Sequence, residues 1–279
     1  MTLEGTQILW RGQTWGHNSG GVRFLDWGKL LDFDTDAATL GTGPGDGGEP
    51  GPLWVPGHTW TLRLEVQGEG VDDAAKATDL HTKLAALKAV TGCTTDRTGE
   101  YDFRWHIDGQ TDDRLRRARI VGRRITLNVD SLGTRVVPVE LDFLASDPTI
   151  YGVTVHDLDT PLARGDSATV TNSGDHAPLR GHLLPVASIA GPIVNPQLVD
   201  QHGNGIKYHG TVADGDTLTL DWSTRRALIG FTSVYPDCTD PTGGHLPGFF
   251  PLPPGDTTIT YSGDSGAGTC GFTWRDTEL

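Results

Sequence analysis

Ten histidines, three cysteines and 36 acidic side chains are the groups in this 279-residue chain that could do chemistry. Metal ligation would need them grouped. His202 and His209 can face each other across a hairpin, but no third ligand or carboxylate follows at a ligand spacing. Asp214-Gly-Asp216 invites a calcium reading; without an EF-hand pattern, paired Asp residues around Gly are turn chemistry. Nucleophilic or zinc-assisted hydrolysis would show a GxSxG elbow or an HExxH helix, and the sequence has neither. Gly45-Asp-Gly-Gly48 is glycine-rich but lacks the strand-to-helix setting of a phosphate loop. Carboxylates are plentiful, yet no facing pair of the glycosidase kind stands out. Cys93, Cys238 and Cys270 form an odd, sparse set with no CxxC, which argues against a zinc site or disulfide scaffold and for separate thiols. The reading is therefore not an enzyme, with no catalytic, cofactor or metal residues.

The elements that carry these residues fall into two halves. Residues 1–152 hold 22 acidic and 16 basic side chains, net −6; residues 153–279 hold 14 and 6, net −8. Neither balance suits a nucleic-acid surface, which rewards clustered positive charge. Met1 is not followed by a basic, apolar leader, and no run of about 18 apolar residues predicts a membrane span. The length suits two domains, and 38 glycines and 17 prolines predict many turns.

In the first half, Thr6–Arg11 and Val22–Trp27 read as strands of an opening hairpin, turned at Asn18-Ser-Gly-Gly21. Residues 34–58 carry seven glycines and four prolines around Trp54-Val-Pro56. Trp54 either tucks onto its own domain or sits on an arm that reaches a neighbouring subunit. Thr59–Val66 alternates strictly, with Trp60, Leu62, Leu64 and Val66 on one face. Asp72–Val90 predicts the one long helix. Asp72 or Asp73 caps it, Ala77, Leu80, Leu84 and Leu87 face a sheet, and Gly92 closes it in a left-handed conformation. Tyr101–Ile107, Leu115–Asp130 and Arg135–Leu144 add strands. Strands, one helix, then strands predicts an α+β domain on a mostly antiparallel sheet.

Arg114, Arg116, Arg117, Arg119, Arg123 and Arg124 crowd one segment. They read as a solvated strand surface paired with carboxylates, or as a charge contact between subunits. On the second reading Trp54, Arg116, Arg117, Arg119 and Arg123 are the candidate assembly interface.

Leu141–Gly152 joins the halves, a strand stopped by Ser146-Asp-Pro148. Beyond it come short strands at close spacing: Ser167–Asn172, Leu179–Ala190, Gln197–Asp200, Gly205–His209, Asp216–Trp222, Ala227–Phe231, Thr257–Tyr261 and Thr269–Trp274. That pattern predicts a β-sandwich of jelly-roll type. The whole chain is thus expected to be mainly β, with an α+β domain over 1–152 and a sandwich over 153–279.

The order of turn motifs resembles the distal tail proteins of long-tailed bacteriophages. Ser167–Asn172 with Gly174, Ala177-Pro178, Gly191-Pro-Ile-Val-Asn-Pro196, Gly205-Ile, Asp214-Gly-Asp-Thr-Leu218, Pro251-Leu-Pro-Pro-Gly-Asp256 and Trp274-Arg275 follow in that family's order. Ser146-Asp-Pro148 with Tyr151 is similar to its domain junction. The motifs lie in residues 146–279, and the glycine-rich stretch at 34–58 departs from the family. The resemblance implies a structural virion protein of the tail, assembled in the host cytoplasm. It implies a ring, usually a hexamer, that joins the tail tube to the tip or baseplate proteins. The first domain would form the ring, and a galectin-like sandwich would sit outside it. The rival class is a carbohydrate-binding or receptor-binding module that meets a cell-surface glycan. Tyr208, Trp222, Phe249 and Phe250 would be its exposed aromatic contacts, Tyr208 and Trp222 foremost.

Overall fold

The computed structural model describes residues 6–16, 22–26, 58–92, 99–109, 111–177, 183–242, 244 and 246–278. Trp54, most of the 34–58 stretch and Cys93 lie outside the described residues. The chain divides into two compact units, Met1–Pro148 and Thr149–Leu279. It is mainly β, with antiparallel pairing between neighbouring strands of its sheets.

Among the described residues the first unit holds seven strands: β1 Gln7–Trp10, β2 Gln13–Gly16, β3 Val22–Asp26, β4 His58–Gln67, β5 Tyr101–His106, β6 Arg114–Ile125 and β7 Val136–Ala145. Their order across the sheet is β2-β1-β5-β6-β7-β4-β3. The end strands β2 and β3 approach each other, so the sheet curls into a near-closed barrel. Alternation fills one face with apolar residues. Trp60, Leu62, Leu64 and Val66 of β4 are buried, as are Val137, Val139, Leu141 and Phe143 of β7. Rings condense around Phe143: Trp60 stacks on it at 5.2 Å, Trp10 meets it edge-on at 5.1 Å, and Phe103 lies at 5.0 Å.

Three expectations for this unit are corrected. The opening hairpin is β1 with β2, turned at Arg11-Gly12, both with positive φ (46° and 81°). β3 pairs instead with β4. A two-residue turn with positive φ at both positions favours Asn or Gly there, and Arg at the first of them hides that signal. The run expected as one strand to Asp130 ends at Ile125 and is followed by a short helix, α2, Val129–Thr134. Asn128 caps it: its side chain accepts the Ser131 N–H, and the Ser131 hydroxyl accepts the Asn128 N–H.

The long helix, α1, spans Asp73–Thr91 and packs against β4 through Leu80, Leu84 and Leu87. The Asp72 carboxylate accepts the Ala75 N–H at 2.7 Å. Its C-terminus is closed differently from the expected glycine cap, because Gly92 is extended (φ −62°, ψ 144°). Side chains take the end carbonyls instead. Thr91 Oγ1 donates to Leu87 O, Arg123 Nη1 to Lys88 O, and both Trp10 Nε1 and Arg11 Nη1 to Val90 O. These satisfy carbonyls that the helix leaves open, and two cations complement its dipole. Gly68 allows the approach at the other end: a Cβ there would lie 2.1 Å from Lys76 O.

The second unit is a sandwich. One sheet runs through Leu162–Ala163, Thr269–Trp274, Val186–Ala190, Thr217–Asp221, Arg226–Ile229 and Thr232–Ser233. The other runs through Ser167–Asn172, Gly255–Ser262, Gln197–Asp200, Gly205–Tyr208 and Cys238–Thr239. Alternate residues of both sheets are buried, among them Ile189, Leu218, Leu220 and Phe272 on one and Val170, Leu198, Ile259 and Tyr261 on the other. Strand Ile150–Gly152 pairs with Thr277–Glu278, residue Tyr151 facing Thr277.

Candidate functional site

The arginine run of β6 was a candidate contact between subunits, and the structure places its members on tasks inside the chain. Arg116 is 0% exposed. Its guanidinium lies 5.6 Å over the Trp60 ring. Burial pulls its pKa down to about 10, and the nearby Asp147 carboxylate opposes that shift. Arg116 is thus no surface charge; a buried cation needs a partner, and Asp147, itself buried, faces it. Arg117 Nη2 donates to the Glu100 carbonyl at 2.7 Å, and Glu100 Oε1 accepts the Ser146 N–H at 2.7 Å. Glu100 thus holds the Ser146 N–H at the end of β7 while its own carbonyl takes Arg117. Arg119 is half-buried. Arg123 is exposed and donates to the end of α1. Arg124 Nη1 pairs with Glu140 at 2.6 Å.

The aromatic set in the second unit, expected to be exposed, is mostly buried. Trp222 is 3% exposed, Phe250 2% and Tyr208 8%. Trp222 Nε1 donates to the Phe250 carbonyl at 2.9 Å, so the indole has its polar partner inside the fold. Its ring meets Phe249, Phe250 and Phe272 edge-on at 5.3–5.7 Å. Tyr208 has a raised pKa, first from burial and then from Asp237 and Cys238 beside it. Only Phe249 of the four expected rings is half-exposed. A run of alternating residues shows which rings share a face, but not that the 246–252 segment lies over that face.

Asp214-Gly-Asp216 is a turn: the Asp216 N–H donates to Ala213 O, and Gly215 has φ 82°. Among the described residues no group of three His, Cys, Asp or Glu side chains could hold a metal. His202 spends its backbone N–H on Asp200, and His209 Nε2 lies 2.7 Å from Thr239 Oγ1. Cys238 and Cys270 are buried free thiols, each pushed up to about 12 by burial.

One highly connected polar residue, Asn172, was not among the candidates. Asn172 is 2% exposed. Its Nδ2 donates to His176 O (2.9 Å), Leu252 O (3.0 Å) and Thr277 Oγ1 (3.0 Å). Its Oδ1 accepts from the N–H groups of Gly174 and Thr277, both at 3.0 Å. Asp276 adds to the same junction, accepting the Ser173 N–H at 2.7 Å and facing His156 Nε2 at 3.1 Å. Trp274 Nε1 donates to Thr171 O, and Arg275 Nη1 donates to the carbonyls of Gly152 and Val153. Gly174 must be glycine, because a Cβ would lie 1.9 Å from Thr277 O. The Asn-x-Gly spacing was the available signal: it puts an Asx turn at a strand end, with the amide turned inward. What this arrangement does chemically is to bind backbone; it presents no reacting group.

No protein-family model matches the chain, and no curated protein matches it. Among solved structures, a chain of the phage P2 baseplate in its activated conformation with calcium is similar at 10% identity, over 98% of this chain and 98% of that one, with a TM-score of 0.44. A chain of the same baseplate with strontium is similar at 10% identity, over 96% and 97%, with a TM-score of 0.42.

Proposed function

We propose that this chain is a structural subunit of a bacteriophage tail: a distal tail hub protein that joins the tail tube to the tip or baseplate and assembles as a ring of the hexameric kind. One observation carries the reading. The motifs that resemble the distal tail family follow in that family's order through residues 146–279, and they sit at frame positions of the sandwich. Asn172 and Gly174 dock residues 276–277. Asn195, at φ 48°, turns the chain and donates to Asp264 at 2.7 Å. Asp214-Gly-Asp-Thr-Leu218 opens the strand that pairs with Val186–Ala190. Residues in such positions specify a fold, and the function follows by analogy at that level.

On this reading residues 1–152 form the ring and residues 153–279 are an outer module. Its partners are copies of itself, the tube protein and the tip proteins, and its place is the virion tail. Arg116 is buried and Arg117 and Arg123 have partners within the chain, so of these only Arg123 also offers an exposed surface to a neighbouring subunit. The glycan-binding rival loses its platform, because three of its four rings are buried. The test is the particle that the full chain forms. A ring several times the 29.9 kDa chain mass, visible by negative-stain microscopy with a central opening, is expected. A stable monomer at micromolar concentration would overturn the proposal.

A further inference from the structure

Four charged side chains stand in one line across the outer face of the first unit's sheet. In register, Asp26 of β3 faces Arg63 of β4, Arg63 faces Glu140 of β7, and Glu140 faces Arg124 of β6. The groups touch in sequence: Asp26–Arg63 at 3.8 Å, Arg63–Glu140 at 3.5 Å, Glu140–Arg124 at 2.6 Å. Three strand spacings make the row roughly 14 Å long. The side chains are 52%, 58%, 32% and 75% exposed in that order. Exposed pairs of this kind add little to folding, so the fold alone does not account for a four-membered row.

The order of signs, minus-plus-minus-plus, is its own complement when reversed. Turned over about an axis parallel to the strands, it reads plus-minus-plus-minus, and every group meets its opposite. Turned about an axis along the row, every group meets its like. The two strands that end the row each carry a β-bulge, between Phe24 and Asp26 in β3 and between Ile120 and Gly122 in β6. Leu25 and Val121 sit at those bulges, 48% and 52% exposed. Bulges re-aim side chains, and here they add apolar surface beside a self-complementary charge pattern, the mixture found in protein interfaces. We infer that this face of the sheet pairs two copies of this chain about a two-fold axis parallel to the strands. The contact is same-to-same, whereas a ring is built from head-to-tail contacts, so the inference does not rest on the ring reading.

The signs supply the test. In Arg63→Glu the row becomes minus-minus-minus-plus, and two like-charge contacts arise when it meets its own copy. Glu140→Arg gives minus-plus-plus-plus and fails against itself in the same way. Facing each other, the two variants are complementary at all four positions. Sedimentation of the full chain at low salt should give a wild-type particle of twice the mass of either variant. A one-to-one mixture of the variants should restore the wild-type mass, and 0.5 M NaCl should halve it again. Arg124→Glu with Asp26→Arg repeats the test at the ends of the row. Single variants that keep the wild-type mass would overturn the inference, and so would mixtures that stay at the halved mass in both sets. A wild-type mass of about 60 kDa, twice the 29.9 kDa of one chain, would leave the pairing standing and the ring reading overturned.

Discussion

Replacing Asn172 by Ala should loosen the second unit at one identifiable place. The amide makes five hydrogen bonds. They are not equal in what their loss costs. Thr277 Oγ1 also donates to His176 O at 2.6 Å, so those two groups keep each other. The Gly174 N–H lies on a half-buried residue and can turn to water. The Thr277 N–H and the Leu252 carbonyl belong to buried residues. Two buried groups that lose this partner, at about 1–2 kcal/mol each, put the destabilisation at roughly 2–4 kcal/mol. Urea unfolding followed by tryptophan fluorescence measures the total, and amide hydrogen exchange at Thr277 locates it. Asn172→Asp should do worse at pH 7. It keeps the acceptor, but it turns a second oxygen toward the carbonyls of His176 and Leu252. That carboxylate is disfavoured in the folded state, so its pKa is raised there and the defect should shrink as the pH falls and the group protonates. A loss under about 0.5 kcal/mol for Asn172→Ala, with Thr277 exchange unchanged, would refute the reasoning.

Gly68→Ala should cost more than a surface alanine would gain, since the new Cβ meets Lys76 O at 2.1 Å and must push α1 off β4; helical ellipticity and urea midpoint should fall together. Leu84→Ala should destabilise the first unit by roughly 2–5 kcal/mol for a well-buried leucine, read from the same denaturant curves. Asp79 has a lowered pKa because Lys83 Nζ and the Glu69 N–H bind its carboxylate. Its contribution is present above the ordinary carboxylate range and is lost as pH falls through the folded value. The difference in melting temperature between wild type and Lys83→Met should therefore narrow from pH 6 to pH 2, down to what the Lys83 bond to the Gln67 carbonyl contributes. Cys238 and Cys270, buried and with raised pKa values, should resist iodoacetamide at pH 8 in the folded chain and react once urea unfolds it.

What could be read from the sequence was periodic. The strand at 59–66 and the helix at 72–90 lie within a residue or two of His58–Gln67 and Asp73–Thr91, and the leucines expected to face the sheet do so. Alternation and 3.6-residue spacing report which side chains share a face. They do not report which face a bulge has turned, and the shift at Val121 is why β6 does not read as a single alternating strand. Nor do they report burial of polar groups. Arg116 looks like any other arginine of its run until Trp60 and Asp147 close over it. Trp222 looks like a binding residue until Phe250 supplies its acceptor. Asn172 reads as a turn residue, and its reach to Leu252 and Thr277, far along the chain, has no local signature.

The pairing of Ile150–Gly152 with Thr277–Glu278 has a consequence for the newborn chain. Arg275 reaches back 123 residues to hold Gly152. A ribosome adding about 5–20 residues per second needs roughly 6–25 s to cover that distance. For that interval the strand at Ile150–Gly152 lacks Thr277–Glu278, one of the strands it pairs with. Slow closure of this sort leaves time for the wrong strand to be met first. The yield of folded protein should therefore depend on how crowded neighbouring nascent chains are, and slower translation between residues 152 and 275 should lower it.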